Sequence, residues 1–411
     1  MNQTIQANQP SKGYSYLMMA GHICCDMCQS TLPALLPFLI VQHGIDYTAA
    51  AGLTFASSFL SSLIQPLLGM IADRRQMPWL IGLGILMTGM GVASIGFLSS
   101  YWSLFAVIMF AGLGSALFHP EGGRMASCVA GEAKGRAMST FAAGGNLGFV
   151  IGPVVAASAV SIWGLHGTAI MMVPTIIMSG IFFGLQKKFI QLSNMAKQEL
   201  VEKTTADAQK DDWSAFSRLC IPIFLRSIVQ NGIQTFIPLY WVSVLLQTQQ
   251  QGSFMVTVMA LASTVAAFSG GRLADRFGFR RIIRIAFSSV APLIAMMLLT
   301  KNVVIATALV VPLAAMNQLG HSPSVVLGQR YLPNRLGLAS GITLGLAVSM
   351  GGICSPLLGK IGDNYGLTVA LGVVAVVAVF GFLGTLLLKE PAASAKSMPV
   401  PEQEELPITG D

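Results

Sequence analysis

Long apolar runs recur along the whole chain, and their length constrains the fold more than any other feature. A helix needs about 20 residues to cross the hydrocarbon core of a bilayer. Twelve runs meet this requirement, at residues 14–40, 47–72, 77–98, 102–126, 136–162, 165–187, 215–245, 252–274, 280–300, 302–329, 336–361 and 366–388. Because they lack an alternation of apolar and polar residues, they indicate helices rather than strands of a barrel. We therefore predict an all-α membrane protein with twelve transmembrane helices.

The few charged residues are distributed as membrane insertion requires. Only 10% of the residues are charged, against about 25% in a typical soluble domain. All but three of the 24 Lys and Arg residues fall in alternate connections, on the side that also carries both termini. Lys301 and Lys360 lie on the other side, and Arg226 lies inside a run. This asymmetry predicts that both termini are cytoplasmic, and it argues against a nucleic-acid-binding surface.

The chain also repeats itself. GMIADRR begins at Gly69, and GRLADRF begins 202 residues later at Gly271. The same offset relates His119 to His321, and a constant offset across several loops indicates a duplicated unit of six helices. We predict six-helix bundles at 1–187 and 215–389, a cytoplasmic linker at 188–214 and a disordered tail at 390–411.

The repeated loop carries glycine, aspartate and arginine at fixed places. The two copies contain Gly69, Asp73 and Arg74, and then Gly271, Asp275, Arg276 and Gly278. The pattern resembles the loop signature of the major facilitator superfamily, although Gln76 stands where the first copy would have its later glycine. This resemblance implies two bundles that rock about a substrate site near the membrane midplane. We interpret the loop residues and Arg124 as a cytoplasmic latch, because Asp accepts charge-assisted bonds from Arg and from helix N-termini.

Longer stretches narrow the resemblance. They are LPALLPFL at 32–39, SSLIQPLLGMIADRRQMPW at 61–79, GLGSALFHPEGGRMA at 112–126 and GGNLGFVIGP at 144–153. These stretches resemble the fosmidomycin-resistance family of bacterial efflux proteins, and the last is similar to the superfamily's antiporter motif. Four-residue glycine spacing also serves ordinary close packing of helices. The resemblance implies a drug–proton antiporter of the bacterial inner membrane, without identifying the drug.

The stretch GHICCDMCQS at 21–30 places ionisable groups inside the first run. On a helix, His22, Asp26 and Gln29 share one face, whereas the three cysteines of the stretch point in different directions. The cysteines therefore do not predict a metal site. Asp26 lies about 18 Å into the helix, close to the midplane. We predict that Asp26 exchanges the coupling proton and that His22 shares it. The alternative is a purely structural pair.

Arg226, in the seventh run, is the second intramembrane charge. It could pair with Asp26 across the central cavity, or bind an anionic substrate group with two parallel hydrogen bonds. A static contact with Asp26 or with a backbone carbonyl is the alternative. The other residues that we expect at the substrate site are Gln29, Gln230, Gln234, Asn146, His119, His321 and Asn317.

A third polar group lies near the cytoplasmic end of the fourth run. Glu121 and Arg124 are three residues apart, so they are neighbours on a helix. We favour a role for Arg124 with Asp73 in the latch, supported by Glu121. The alternative makes Glu121 a second proton site.

These features predict a transporter rather than an enzyme. The sequence has no phosphate-cradling loop, and Gly112 and Gly114 lie inside an apolar run, so no ATP drive is expected. We predict a monomeric, proton-coupled efflux antiporter for small drug-like or anionic compounds, working by alternating access without a cofactor. Its partners are the substrate, protons and the lipid bilayer. The alternatives are an uptake transporter for an organic acid or sugar, a non-transporting membrane receptor and a divalent metal exporter.

Overall fold

The computed structural model describes residues 12–74, 77–129, 134–201, 211–335, 338–339, 342–343 and 347–389. The side chains of Gly69, Asp73 and Arg74 lie outside this description, as does the predicted tail at 390–411. The first copy of the predicted latch is therefore outside the described residues.

The described ranges contain fifteen α-helices and no β-strand. In chain order the helices are α1 (Lys12–Gln29), α2 (Thr31–His43), α3 (Tyr47–Arg74), α4 (Trp79–Ser94), α5 (Tyr101–Cys128), α6 (Lys134–Trp163), α7 (Met172–Gly184), α8 (Gln186–Val201), α9 (Trp213–Ser243), α10 (Gln249–Phe277), α11 (Phe279–Leu299), α12 (Val303–Leu319), α13 (His321–Tyr331), α14 (Ala347–Tyr365) and α15 (Leu367–Leu386). Within these ranges, eight segments are long and apolar enough to cross a bilayer. The predicted all-α membrane fold in two helical bundles is confirmed.

Two spans each consist of two helices, and in both a proline lies in the first turn of the second helix. Pro33 has no N–H to donate to the carbonyl of Gln29, the last residue of α1. Pro323 likewise has no N–H to donate to the carbonyl of Leu319, the last residue of α12. The first span therefore divides into α1 and α2, and the tenth into α12 and α13.

Helix α8 lies in the segment that we predict to be a linker. Its Phe189 packs on Phe182 and Tyr14, with ring centroids 5.7 and 5.8 Å apart. The helix thus covers the first half at the end of the bundle where the chain begins. The exact limits of the four predicted segments remain a prediction.

The two halves contact each other extensively at the end of the molecule opposite the N-terminus. There α3 packs along α14, and a side chain at Gly352 would overlap Ser58. Thr235 of α9 donates to Thr54 of α3 at 3.4 Å. Helix α2, the second part of the first span, packs on α9 and α10 of the other half. Helix α1 packs on α4, α5, α6 and α7 of its own half. The halves are therefore joined at this far end.

A carboxylate links the two halves at the far end. Asp363, near the end of α14, accepts hydrogen bonds from the backbone N–H groups of Tyr47 and Thr48 at 2.8 and 2.9 Å. It thereby caps the N-terminus of α3, which belongs to the other half. Asp46 caps the same helix from within its own half, accepting from the N–H of Ala49 at 2.7 Å. The negative charges also interact favourably with the helix dipole.

We predict that Asp363→Ala opens the far end, whereas Asp46→Ala does not. Loss of a helix cap costs about 1 kcal/mol, which is enough to change a conformational ratio roughly fivefold. The measurement is the distance between spin labels at exposed positions 102 and 299, one in each half, in a chain without its native cysteines. Asp363→Ala should add a population at longer distance. An equal change in both variants would show that α3 merely frays.

Candidate functional site

A carboxylate between two imidazoles lies inside the first half. Asp26 Oδ2 is 3.1 Å from Nε2 of His22, one turn earlier on α1. Asp26 Oδ1 is 3.1 Å from Nε2 of His119, which α5 contributes. The Asp26 side chain is only 5% exposed. The sequence predicted the first contact, but it assigned His119 to the substrate site and missed its contact with Asp26.

The partners of the other ring nitrogens determine where the protons lie. His22 Nδ1 is 2.7 Å from the carbonyl oxygen of Phe141, and His119 Nδ1 is 2.9 Å from that of Ser115. A carbonyl can only accept, so both Nδ1 atoms carry hydrogen. A neutral imidazole then turns the lone pair of Nε2 toward Asp26, which as a carboxylate is also an acceptor. Both contacts are attractive only when a proton lies between the two atoms of each, which requires two protons among the three side chains.

Glycines on α6 allow α1 to approach closely enough to form this group. A Cβ atom at Gly145 would lie 2.7 Å from Asp26 Oδ2 and from His22 Nε2. At Gly148 it would lie 2.7 Å from the carbonyl oxygen of Ile23. The glycines of the stretch 144–153, which resembles an antiporter motif, therefore form the surface on which α1 packs.

Glu121 and Arg124 form a separate pair. The guanidinium binds both carboxylate oxygens of Glu121, with Nε to Oε2 at 2.9 Å, and it also donates to Ser193 of α8 at 2.6 Å. Glu121 is fully buried. This arrangement joins α5 to α8. The predicted contact of Arg124 with Asp73 involves a side chain outside the described residues.

The second half contains a cationic group at a comparable place. Arg226 is 7% exposed and donates from Nη1 to the backbone carbonyl of Asn317 at 3.4 Å. The Asn317 side chain donates to Gln230, and the imidazole of His321 lies within electrostatic range of the guanidinium. The structure does not form the hypothesised pair between Arg226 and Asp26, because each has partners within its own half.

The remaining candidate residues lie apart from these two groups. Gln29 lines a small cavity inside the first half, together with Cys28 and Thr88. Asn146 and Gln234 are partly buried. In the second loop copy, Asp275 and Arg276 are exposed. Gly271 is partly buried with open space around its Cα, and Gly278 has a φ of 91° at the turn from α10 to α11.

The described residues include one set of side chains with the spacing of a metal site. His22, Asp26 and His119 each offer one donor atom within 4.8 Å of the others. The cysteines take no part in it. Cys24 Sγ faces the carbonyl of Pro174 and Cys25 Sγ faces Thr88, each at 4.0 Å.

Sequence comparisons agree on one superfamily. The model of the Major Facilitator Superfamily matches residues 18–344 and, in a second match, 219–409. An MFS-type transporter of Bacillus subtilis, YfnC, described as uncharacterized, is 31% identical over 91% of this chain and 93% of its own length. The fosmidomycin resistance protein of Escherichia coli K12 is 25% identical, covering 89% of this chain and 90% of its own.

Solved structures show the same fold at low identity. A bacterial homologue of the human lysosomal transporter Spinster, in an inward-facing and occupied conformation, has a TM-score of 0.73 at 13% identity, covering 92% of this chain and 97% of that one. A D-xylose–proton symporter has a TM-score of 0.71 at 14% identity, covering 93% and 98%.

We predict that Gly145→Ala disrupts the group of His22, Asp26 and His119. The added methyl would overlap both members of the His22–Asp26 pair, which α1 cannot relieve without moving away from α6. Gly123→Ala is the control, because a Cβ there meets open space. Both variants should fold, as judged by thermal unfolding in detergent, but only Gly145→Ala should lose transport. Equal activity of the two variants would contradict the assigned role of the glycine.

Proposed function

From the premise that this chain belongs to the major facilitator superfamily, we propose that it exports small drug-like or anionic compounds in exchange for protons. The chain is a membrane transporter and not an enzyme. Export, rather than uptake, is supported by similarity to proteins named for resistance. Besides the fosmidomycin resistance protein, these include the multidrug resistance protein MdtG of Klebsiella pneumoniae, which is 24% identical over 89% of this chain and 91% of its own length.

The observation that carries proton coupling is the placement of two imidazole Nε2 atoms on one buried carboxylate. With two protons, both contacts are attractive. With fewer, at least one contact sets two acceptors 3.1 Å apart, which is unfavourable in surroundings of low dielectric. Loss of a proton therefore raises the free energy of this arrangement and favours a different arrangement of the three side chains. A group of this kind can couple proton release to a conformational change.

The closed far end fits one state of an alternating-access cycle. If both termini are cytoplasmic, as the distribution of Lys and Arg predicts, the halves are joined at the periplasmic end and the molecule faces inward. His22, Asp26 and His119 belong to one half, so they move together when that half rocks. We place the protein in the bacterial inner membrane as a monomer, with lipid, protons and substrate as its partners.

Divalent metal export is the second candidate, because the same three side chains have metal-site spacing. Imidazole nitrogens and a carboxylate suit Zn²⁺. This candidate predicts Zn²⁺ flux that is lost in His119→Asn but retained when Cys25 and Cys28 are both changed to Ser.

We predict that Asp26→Asn abolishes export driven by a pH gradient but retains exchange of substrate for substrate. The uncharged amide resembles a carboxyl that never releases its proton, and exchange needs no net proton movement. A compound found by screening for resistance in a host without its major pumps would be measured in inside-out vesicles.

Asp46→Asn is the matched control, because Asn also caps helices well and this residue lies far from the imidazoles. It should transport like the original chain. Normal pH-driven export by Asp26→Asn would refute coupling at this carboxylate, and the absence of any flux would favour a receptor. Accumulation in right-side-out vesicles would instead indicate uptake.

A further inference from the structure

We infer that His22, Asp26 and His119 form a binding site for Zn²⁺, and that the bound ion inhibits transport. The inference deepens the proposed function, because it names a regulator of the same group of side chains. The effect of the ion on transport rests on the proposed function, whereas its binding does not. The ion is an inhibitor here, in contrast to the cargo that a metal exporter would carry.

The three side chains direct lone pairs toward one small space. In His22 and His119, Nδ1 lies 2.7 and 2.9 Å from a backbone carbonyl oxygen, so each ring presents the lone pair of Nε2 to Asp26. Metal-binding histidines have this arrangement, in which a carbonyl fixes the tautomer and the orientation of the ring. Two imidazole nitrogens and one carboxylate are a ligand set that suits Zn²⁺.

The carboxylate lacks the full set of hydrogen bonds that a buried charge requires. Asp26 Oδ1 is buried and has no hydrogen-bond partner among the described residues, although His119 Nε2 lies 3.1 Å away. The Asp26 side chain is only 5% exposed, and a buried polar atom without a partner requires an explanation. A cation placed among the three donor atoms interacts favourably with each of them. The unsatisfied oxygen therefore points to a ligand.

The spacing of the donor atoms fits a small cation. Two ligands of a tetrahedral Zn²⁺ lie about 3.3 Å apart, because each is about 2.0–2.2 Å from the metal. Each imidazole Nε2 is 3.1 Å from a carboxylate oxygen, and all three donor atoms lie within 4.8 Å of one another. Small rotations of the two rings therefore suffice to complete the coordination. Gly145 keeps this side of the group free of a side chain, since a Cβ there would lie 2.7 Å from His22 Nε2.

The partial exposure of His119 gives the ion access to the site. Its side chain is 28% exposed, against 10% for His22. A zinc ion with three protein ligands keeps a fourth position for water, and the exposed edge of His119 admits one. The nearby thiols face elsewhere, because Cys25 Sγ contacts Thr88 at 4.0 Å. The ligands are therefore nitrogen and oxygen atoms, without sulfur.

The location of the ligands explains why the ion inhibits transport. All three belong to α1 and α5 of the first half, so rocking of the halves does not pull them apart. A coupling proton must leave in every cycle, whereas an ion held by three ligands dissociates slowly. The ion also satisfies the three lone pairs without any proton between them. It thereby stabilises the present arrangement and prevents the change that proton release favours.

The binding test uses the purified full-length protein in detergent, freed of metal with a chelator and kept at constant pH. Co²⁺ is the spectroscopic probe, because it occupies Zn²⁺ sites and absorbs visible light. We expect the visible bands of a four-coordinate ion at one equivalent per chain, without the near-ultraviolet band of a cobalt–thiolate bond. Zn²⁺ should displace the Co²⁺, and Mg²⁺ should not, because Mg²⁺ prefers oxygen ligands.

Variants assign the site to these side chains. His119→Asn should weaken Zn²⁺ binding by more than about tenfold, because even changes to groups that support a ligand cost about 10- to 100-fold. His166→Asn is the matched control, since it removes an exposed imidazole and should bind like the original chain. So should the variant with Ser at both Cys25 and Cys28. Thermal unfolding without metal checks that each variant is folded, and the Co²⁺ spectrum of the original chain tests the ligand set without any variant.

The effect on transport is measured in inside-out vesicles, with a pH gradient imposed by dilution so that zinc cannot act on respiration. Zn²⁺ should stop pH-driven export, a chelator should restore it, and radioactive Zn²⁺ should not accumulate. Zn²⁺ should also block exchange of substrate for substrate in the original chain but not in Asp26→Asn, which lacks one ligand. His166→Asn should be inhibited like the original chain.

A cobalt–thiolate band, or metal binding that is unchanged in a folded His119→Asn, would overturn the site. Binding without inhibition, or accumulation of Zn²⁺ in the vesicles, would overturn the inhibitory role. If Zn²⁺ does not bind while pH-driven export succeeds, only this inference falls. If the Co²⁺ spectrum is as expected while no compound is exported, the metal site stands and the proposed function falls.

Discussion

The close contact between α1 and α6 supports the chemistry of the first half. A side chain at Gly144 or Gly148 would overlap the backbone of α1, and one at Gly145 would overlap His22 and Asp26 themselves. Because lipid offers no hydrophobic force between helices, small residues that permit dense packing stabilise their association. The same contact brings the carbonyl of Phe141 to the His22 ring. The packing of α1 on α6 and the contact of the His22 ring with the Phe141 carbonyl therefore both depend on one row of glycines.

The two halves use the same architecture for opposite charges. In the first half, an acid lies between two imidazoles, with each Nε2 at 3.1 Å from one of its oxygens. In the second, a guanidinium has only a long bond to a carbonyl. A buried charge is tolerated when it is paired. The acid has two imidazoles beside it, whereas the guanidinium takes part in none of the ion pairs among the described residues.

The contact between the halves is of a different kind from the contacts inside them. It joins Asp363 of one half to the N-terminus of α3 in the other, alongside glycine-mediated packing of α14. Exposed polar bonds of this type are individually weak. If this interface opens in each transport cycle, as we propose, such bonds suit it because no single contact dominates its free energy.

The sequence by itself determined the all-α membrane character of the chain, because hydropathy and residue spacing are properties of the chain in one dimension. It did not mark the ends of α1 and α12, because 14–40 and 302–329 each form one uninterrupted apolar run. It placed Asp26 and His22 on one face, because they belong to one helix.

Only the tertiary structure decided which residues of different helices meet. The rotation of α5 about its axis brings His119 to Asp26, and this rotation is set by packing against α1, α3 and α4. Arg226 and Asp26 lie on corresponding spans, and the sequence therefore allowed them to pair. They remain apart because each side chain faces the interior of its own half, an orientation that residue spacing alone does not contain.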